Sequence, residues 1–390
     1  MRRNTNERIN SQKGTHWAAV VNIQRDPAKG GRRSQIWRSA PTKRGAEKLL
    51  SELLHELDSS AFVKPSKETV GVFLQRWLDD YISTRVRPTT LEVYRQRGKH
   101  LVEGLGHIAL SDLRPEHIHQ YYREKGQSFA GATLIKHHYL LLKALSHGVK
   151  WKALKWNVAE AVDSPRVNRK EMRSLTGSEV HRLLEACEDT PWHPIFHTLT
   201  WTGLRRSELL GLRWRDIDLL MATLRVVQTL QQLNTGEFIV QEPKTAAGRR
   251  TIALSPGSCL VLRAHREKQE RDAALLEKSL TGDTLVFAHP DGSPRIPSTL
   301  TLTFRRLTRR IGLAGVRLHD LRHTMASLYL QQGVSPKTVA ERLGHASVVI
   351  TLDLYSHCLP GVQEAAAAQF DAAMESAKKP SSERAPGQLR

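Results

Sequence analysis

Two polar linkers divide the chain into segments with different hydrophobic patterns, and this division constrains the fold more than any other feature. The first linker, SSAFVKPSKE, follows Asp58, and the second, DSPRVNRKEMRS, carries a proline and four cations. A chain of 390 residues is long enough to bury more than one core. We therefore expect units at residues 1–62, 67–165 and 172–378. The tail, 379–390, is poor in apolar residues and is expected to be disordered.

The first unit has the pattern of a small sheet supported by one helix. HWAAVVNIQ and RRSQIWRSA indicate two short strands around the turn RDPAKGG, and TKRGAEKLLSELLHELD indicates a helix with Thr42 as its N-cap. Arg33, Trp37 and Arg38 lie on or next to the second strand and are candidate nucleic-acid contacts, because some proteins read DNA with a small sheet. The alternative is that the tryptophans fill the core between sheet and helix.

The second unit is predicted to be wholly helical. TVGVFLQRWLDDYI places its apolar residues on one stripe, RPTTLEVYRQRGKHLVEGLG begins after a proline and ends at a glycine, and GATLIKHHYLLLKALSHGVKW forms a third helix. Arg95, Arg97 and Lys136 belong to the cationic faces of these helices. Those faces are either nucleic-acid contacts or ordinary solvated surface.

The third unit combines helices with a few strands. The predicted strands are 222–232, 237–241 and 250–254, with NTGE and PKTAAGRR as the turns between them. Helical patterns precede and follow these strands. The predicted fold class of the whole chain is therefore multidomain and mainly α with small β-sheets: a sheet-plus-helix domain, a helical domain, and a mixed α+β domain.

The net charge indicates the class of partner. Lysine and arginine number 59 against 39 acidic residues, a formal charge of +20, and an excess of this size is typical of nucleic-acid binding rather than of a merely soluble surface. The three cysteines form no CxxC pair, which argues against a zinc-finger or disulfide framework. The start lacks the apolar core of a signal peptide, and no apolar run approaches the ~20 residues of a membrane span, so we expect a cytoplasmic protein with no membrane partner.

The stretch HDLRHT resembles a zinc site at first sight. His319 and His323 are four residues apart and share a helix face, as in helical zinc motifs. Asp320 stands where a zinc hydrolase needs glutamate, however, and Arg322 would repel a dication. Leucines and a methionine form the other face, so the helix is expected to pack by that face and present its cations on the opposite one. A negatively charged ligand is favoured over a metal.

Five separated motifs of the third unit carry side chains suited to binding a phosphate. A guanidinium group binds phosphate through two hydrogen bonds, and a helix N-terminus adds favourable backbone N–H groups. The motifs are TGLRRSELLGLRWRDID, PKTAAGRR, HDLRHT, RLGHAS and TLDLYSH. The residues that they supply are Arg205, Glu208, Lys244, His319, Arg322, His345 and Tyr355.

In their order and separation, these motifs resemble those of the tyrosine recombinases of the phage-integrase family. Through RPTTLEVYRQRGKHLVEGLGHIALSDLRPEHI, the unit at 67–165 is similar to the family's helical, SAM-like core-binding domain. The unit at 1–62 looks like the arm-site DNA-binding domain of integrases from phages and integrative conjugative elements. The resemblance covers nearly the whole chain and implies that 172–378 is the catalytic domain.

The resemblance also implies the chemistry. Tyr355 would attack the scissile phosphodiester to give a 3′-phosphotyrosyl link and a free 5′-hydroxyl. Arg205 and Arg322 would clamp the non-bridging oxygens and stabilise the charge of the transition state, and Lys244 would be the general acid for the departing 5′-oxygen. A tyrosine hydroxyl, with a pKa of about 10, is a poor nucleophile at neutral pH, so electrostatic stabilisation by the arginines is physically reasonable.

The remaining motif residues would support this step. By the same resemblance, His319 would assist proton transfer around the tyrosine, His345 would donate a hydrogen bond to the phosphate, and Glu208 would support the architecture of the site. We expect His323 to have a structural hydrogen-bonding role. Cofactors are not expected, because side chains supply the cations, and the sequence contains no GxxxxGK[ST] loop for ATP.

The function implied is site-specific integration, with excision, of a phage or another mobile element. The implied partners are double-stranded DNA at attachment sites and further copies of the chain, as a tetramer on DNA in a bacterial cytoplasm. A DNA-bending host factor and an excision factor are partners that the resemblance allows. Three alternatives are a relaxing topoisomerase with the same chemistry, a DNA-binding regulator without catalysis, and a metal-dependent nuclease. The three-unit layout with an arm-like domain disfavours the topoisomerase, and the complete set of motif residues disfavours the regulator. The shortage of clustered carboxylates disfavours the nuclease.

Overall fold

Helices make up most of the protein, which confirms the predicted fold class. The computed structural model describes residues 7–12, 16–23, 34–58, 67–167, 173–355 and 362–378. The chain forms two compact units, Met1–Arg169 and Lys170–Arg390. The predicted division near residue 62 falls outside the described residues and stays a prediction, as does the disordered tail.

The first unit begins with an antiparallel sheet of three strands in the order β1-β2-β3. These are β1 (Glu7–Gln12), β2 (His16–Ile23) and β3 (Ser34–Ala40), and they are followed by the helix α1 (Lys43–Asp58). Strand β1 was not predicted, because ERINSQ is polar and lacks the β-branched and aromatic residues that indicate a strand. The predicted turn RDPAKGG lies outside the described residues.

The sheet and the helix of this region share a small core. Ala19, Val21 and Leu53 are fully buried between them, and apolar residues of α1 surround this cluster. The hydroxyl of Thr42 accepts a hydrogen bond of 3.1 Å from the Gly45 N–H, as an N-cap residue does. Trp37 is 47% exposed, so it does not fill this core.

Residues 67–167 are helical, as the apolar spacing predicted. The helices are α2 (Val70–Arg76), which continues as a π-helical turn at Trp77–Ile82, then α3 (Pro88–Leu105), α4 (Pro115–Lys125) and α5 (Gly131–Lys150). Prolines at the first positions of α3 and α4 supply the fixed φ that a helix start needs. The core contains large side chains from every helix, among them Phe73, Trp77, Leu101, Tyr121 and Leu141.

The second unit contains nine of the helices that the structure describes. They are α6 (Gly177–Glu185), α7 (His193–Thr202), α8 (Arg206–Leu210), α9 (Pro256–Ala274), α10 (Pro297–Arg310), α11 (Asp320–Gln331), α12 (Pro336–Leu343), α13 (Val348–Tyr355) and α14 (Val362–Lys378). The strands of this unit are β4 (Ile217–Asp218), β5 (Thr223–Val226), β6 (Thr229–Gln232), β7 (Phe238–Gln241) and β8 (Arg250–Ala253).

The predicted strand at 222–232 is two strands that belong to different sheets. Strand β5 pairs with β4 and β8 in one antiparallel sheet, whereas β6 and β7 form a separate hairpin. The chain leaves the first sheet between them, where the Gln228 side-chain amide donates a 2.8 Å hydrogen bond to the Gly211 carbonyl. An unbroken run of residues that favour strands does not reveal such a break.

Helix α11 is buried on nearly all sides, which differs from the predicted two-faced helix. Arg322 and His323, which were expected on an open cationic face, are 3% and 8% exposed. The helix packs against α7 and α12, and Arg322 bonds to the ends of both, whereas His323 contacts Tyr355 at the end of α13. A buried charge needs strong partners, and those partners form the site described next.

Candidate active site

An ion pair between Arg317 and Asp320, the first residue of α11, stabilises the N-terminus of this helix. The Arg317 guanidinium contacts the buried Asp320 carboxylate at 2.8 Å, and the Arg317 N–H donates to the same carboxylate at 2.7 Å. His319 lies at the N-cap position with its side chain exposed. Desolvation of its ring, followed by the charges of Arg322 and Arg205, lowers the pKa of His319. The imidazole is therefore neutral at neutral pH.

Arg322 joins the C-terminal ends of two other helices. Its guanidinium donates hydrogen bonds of 2.7 Å to the Gly203 carbonyl, after α7, and 2.6 Å to the Leu343 carbonyl, at the end of α12. Carbonyls at a helix C-terminus carry partial negative charge, so they suit a buried cation. Gly203 has a φ of +66°, and a Cβ there would lie 2.3 Å from Met325 Cε, so glycine is required at this position.

A buried carboxylate orients two further arginines. Arg205 is the N-cap of α8; its N–H donates to Glu208 Oε2 at 2.9 Å and its Nη1 donates to Oε1 at 2.7 Å. Arg250, on β8, donates to Glu208 Oε2 at 2.9 Å and to the Arg342 carbonyl at 2.6 Å. The Arg205 side chain is 40% exposed, whereas Glu208 is buried. Glu208 therefore holds Arg205 in place while its guanidinium remains accessible.

The charges of this cluster do not balance. Burial alone would raise the pKa of Glu208, but the hydrogen bond and charge of Arg250, together with Arg205, lower that pKa to about 2. Burial and then the charge of Arg205 lower the pKa of Arg322, which places the three arginines close together. Two of the three guanidinium groups bond to the one carboxylate and the third lies nearby, so the cluster has an excess of positive charge that an anion would neutralise.

His345 is placed next to the same cations by a glycine turn. Gly344 ends α12 with a φ of +68°, and a Cβ there would lie 2.8 Å from the Ala247 carbonyl oxygen. The Nδ1 of His345 is 2.8 Å from the Thr351 hydroxyl. Burial, and then the charges of Arg322 and its neighbours, lower the pKa of His345 to about 4, so its ring is neutral at neutral pH.

Tyr355 lies at the end of α13 and is 2% exposed. Its hydroxyl is 2.6 Å from Nδ1 of His323 on α11. Burial, followed by the proximity of His319, lowers the pKa of His323 to about 4. The nearby Tyr355 phenol acts to raise the pKa of Arg322, so the phenol lies near the arginine cluster.

Lys244 is the motif residue that the structure does not join to the others. It lies in the bend between β7 and β8 with its side chain exposed. Within the part of the chain that the structure describes, no hydrogen bond or ion pair connects Lys244 to the other motif residues. Its loop is nevertheless anchored close by, because Ala247 approaches Gly344 at the start of the His345 turn.

Sequence reasoning missed one residue of the site and the partner of another. Arg250 was not singled out, although the second arginine of PKTAAGRR could have drawn attention to it. His323 was expected to make a structural hydrogen bond, and the structure shows that the group on the other side of that bond is the Tyr355 hydroxyl.

The candidate DNA contacts of the first unit stay predictions. Arg95 forms an exposed ion pair with Asp79 at 3.1 Å, Lys136 is exposed, and Arg97 and Arg38 are half-buried. Arg33 lies outside the described residues. His137, the residue after Lys136, is buried against Tyr121.

Two findings concern metals and membranes. Across the described ranges, no three His, Cys, Asp or Glu side chains gather closely enough to hold a metal ion. In the same part of the chain, no helix is both long and apolar enough to cross a membrane.

A buried tyrosine next to clustered arginines, on a mainly helical unit, is the arrangement that the resemblance to the tyrosine class of DNA recombinases implies. Residues 173–360 match the model of the phage integrase family, and residues 69–125 match the phage integrase N-terminal SAM-like domain. The chain therefore belongs to the phage integrase family of tyrosine recombinases, which catalyse DNA cleavage and rejoining, and this confirms the resemblance seen in its motifs.

Relatives agree with this assignment, and solved structures share the fold. A XerC-like tyrosine recombinase of Caldanaerobacter subterraneus subsp. tengcongensis is 26% identical, over 82% of this chain and 87% of the relative. The ICEBs1 integrase of Bacillus subtilis is 30% identical, over 59% of this chain and 63% of the relative. The Tn1549 transposon integrase, solved with circular intermediate DNA, is 19% identical with a TM-score of 0.66, over 78% of this chain and 99% of that one.

A lambda integrase tetramer bound to a Holliday junction is also similar in fold. It is 20% identical with a TM-score of 0.57, over 91% of this chain and 96% of that one. These likenesses to solved structures show that the fold is shared.

Proposed function

We propose that this recombinase integrates and excises a phage or mobile element by cutting and rejoining double-stranded DNA through a 3′-phosphotyrosyl intermediate. The observation that carries the proposal is the convergence of Tyr355, Arg322 and the Arg205–Glu208–Arg250 cluster within one unit. A nucleophile beside an excess of guanidinium groups suits an attack on a phosphodiester.

In the proposed mechanism, the Tyr355 oxygen attacks the scissile phosphorus. Arg205 and Arg322 contact the non-bridging oxygens, whose negative charge grows in the transition state. Arg322 is already oriented by two helix ends, and Arg205 is oriented by Glu208, so little reorganisation is needed when the phosphate arrives. Lys244 then protonates the departing 5′-oxygen; its loop is positioned next to the His345 turn, and its exposed side chain can reach the DNA.

The other motif residues have supporting roles in this proposal. His345 donates a hydrogen bond to the phosphate, and its neutral ring leaves the charge of the site to the arginines. His319, exposed at the N-cap of α11, assists proton transfer at the edge of the site. The phosphotyrosyl link stores the energy of the cleaved bond, so rejoining needs neither ATP nor a metal ion.

The division of labour along the chain follows from the same proposal. Residues 1–62 bind arm-type DNA sites, 67–165 bind the core site, and 172–378 carry out the chemistry. The chain acts as a tetramer on DNA, a state supported by the lambda integrase tetramer on a Holliday junction. A DNA-bending host factor and an excision factor complete the proposed assembly.

The test is covalent capture on DNA. Incubation of the full chain with a nicked suicide substrate from its element's attachment site is expected to give a protein–DNA adduct that persists in denaturant and forms in EDTA. Sequencing of the recombinant junctions identifies the exchanged strands. An adduct that requires a divalent metal, or DNA cleavage without any adduct, would contradict the proposal.

A further inference from the structure

The contact between α11 and α13 brings a histidine to the nucleophile. The Nδ1 atom of His323 lies 2.6 Å from the Tyr355 oxygen, a short hydrogen bond between two buried side chains. From the sequence, His319 was expected to assist proton transfer around the tyrosine. In the structure, His319 lies at the exposed N-cap of α11, and its ring is 5.0 Å from the His323 ring, measured between centroids.

We propose that His323 is the general base of this recombinase, accepting the phenolic proton of Tyr355 as the tyrosine oxygen attacks the scissile phosphorus. This inference rests on the proposed function, because it names the proton acceptor of that reaction. It gives His323 a chemical role in place of the structural one expected from the sequence.

The state of the imidazole suits a base. Burial, and then the neighbouring His319, keep His323 uncharged at neutral pH, so a lone pair is available. For Nδ1 to accept the phenolic proton, the other ring proton must be on Nε2. A phenol with a pKa of about 10 is almost fully protonated at pH 7, so a positioned proton acceptor lowers the activation free energy of its attack.

The charged groups around His323 come from three directions. On α11 and its approach, Asp320 favours the protonated ring, whereas His319, Arg322 and Arg317 disfavour it. From the turn before α13, His345 faces the same region, and from α13 comes the Tyr355 hydroxyl. When the phosphate binds, its negative charge offsets the arginines and makes protonation of His323 easier.

The proton and the electrons balance in each direction. During cleavage, a bond forms between the tyrosine oxygen and phosphorus, and the phenolic proton moves to Nδ1 of His323. The bond between phosphorus and the 5′-oxygen breaks, its electron pair leaves with that oxygen, and Lys244 supplies the proton that makes the 5′-hydroxyl. During rejoining the 5′-hydroxyl returns its proton to Lys244, and His323 returns the other to the released tyrosine.

The experiment compares two suicide substrates that differ in the leaving atom. One has the ordinary 5′-oxygen at the scissile phosphate, and the other has sulfur there, which leaves as a thiolate and needs no general acid. For His323→Asn, which keeps a hydrogen-bond acceptor near Nδ1 but is not a base, we expect adduct formation to slow about 10²- to 10³-fold on both substrates. Lys244→Ala should be slow on the oxygen substrate and recover on the sulfur one.

A pH series separates a base from a merely structural residue. Without a base, the rate of adduct formation by His323→Asn should rise about tenfold for each pH unit between 7 and 9. The reason is that only the ionised fraction of the Tyr355 phenol then reacts. The wild-type rate should change much less. His138→Asn is the matched control, because its buried ring contacts the Tyr122 hydroxyl in the first unit, and it should leave the adduct rate within about twofold.

The outcomes distinguish this inference from the function on which it rests. If the wild-type chain forms no adduct on either substrate, the proposed function fails. If the wild type reacts and His323→Asn is within about threefold of it, the hydrogen bond is structural and the inference is wrong. Recovery of His323→Asn on the sulfur substrate would move His323 to the leaving-group side and would also overturn it.

Discussion

Both units of the protein bury a histidine against a tyrosine hydroxyl. In the first unit, His137 Nδ1 is 2.9 Å from the Tyr121 oxygen, and His138 Nδ1 is 2.6 Å from the Tyr122 oxygen. In the second unit, His323 contacts Tyr355 at 2.6 Å. The same two atoms, a histidine Nδ1 and a tyrosine oxygen, therefore meet in each pair, and the surroundings of the pairs differ.

The difference lies in buried cations. In the first unit, no lysine or arginine among the described residues is buried, and burial raises the pKa of the phenols of Tyr121 and Tyr122. In the second unit, Arg322 is 3% exposed and lies near the Tyr355 phenol. The first pairs hold α4 against α5, whereas the last pair has the electrostatic support that phosphodiester chemistry needs. A hydrogen bond alone does not define a catalytic group.

The largest effect expected from this comparison is on covalent chemistry. Tyr355→Phe should bind attachment-site DNA normally but form adduct at least about 10⁴-fold more slowly, because the nucleophile is gone. Tyr122→Phe removes an equivalent hydrogen bond and should keep the wild-type adduct rate, while the free energy of unfolding falls by about 1 kcal/mol. Single-turnover capture and urea unfolding measure the two quantities. A comparable loss of adduct in Tyr122→Phe would remove the distinction between the units.

The sequence predicted the parts of the site that depend on local pattern. Arg205 at a helix start next to Glu208, and Arg322 in the first turn of α11, follow from residues close together in the chain. The bend that carries Lys244 and the turn that carries His345 follow from glycine and proline signals of the same kind.

The contacts that the sequence did not reveal join distant residues. Arg250 meets Glu208 across 42 positions, and His323 meets Tyr355 across 32. The expected open cationic face of α11 was wrong because helical periodicity assumes one buried face, whereas the ends of α7 and α12 cover Arg322 and Tyr355 covers His323. The same limit explains the strand predicted at 222–232, whose two halves join different partners.

A buried ion pair of the second unit can be compared with an exposed ion pair of the first. The expected effect, on the free energy of unfolding, is smaller than the effect on adduct formation. Glu208→Gln leaves the largely buried Arg250 without its counter-charge, so the unfolding free energy should fall by about 3–5 kcal/mol. Asp79→Asn breaks the exposed pair with Arg95 in the first unit and should cost less than about 1 kcal/mol. Urea unfolding of both variants checks this. Equal losses would mean that burial of the Glu208 carboxylate does not matter.

The smallest effect is a difference in acid sensitivity between the units. Burial is the main cause that lowers the pKa to about 4 for His197, His323 and His345 in the second unit and for His137 in the first. A lowered pKa means that the unfolded chain binds more protons between about pH 6.5 and 4. The stabilisation is therefore complete above pH 6.5 and is lost as the pH falls through that window.

At pH 5.5 each such histidine should cost about 1 kcal/mol, so the second unit should lose roughly 2 kcal/mol more than the first. Urea unfolding followed by pulsed hydrogen exchange resolves the two units within the full chain. His197→Phe keeps the stacking on Trp201 but cannot titrate, so it should reduce the acid loss of the second unit by about 1 kcal/mol. If the first unit were the more acid-sensitive one, the neutral state assigned to His323 would be wrong, and with it the lone pair that accepts the tyrosine proton.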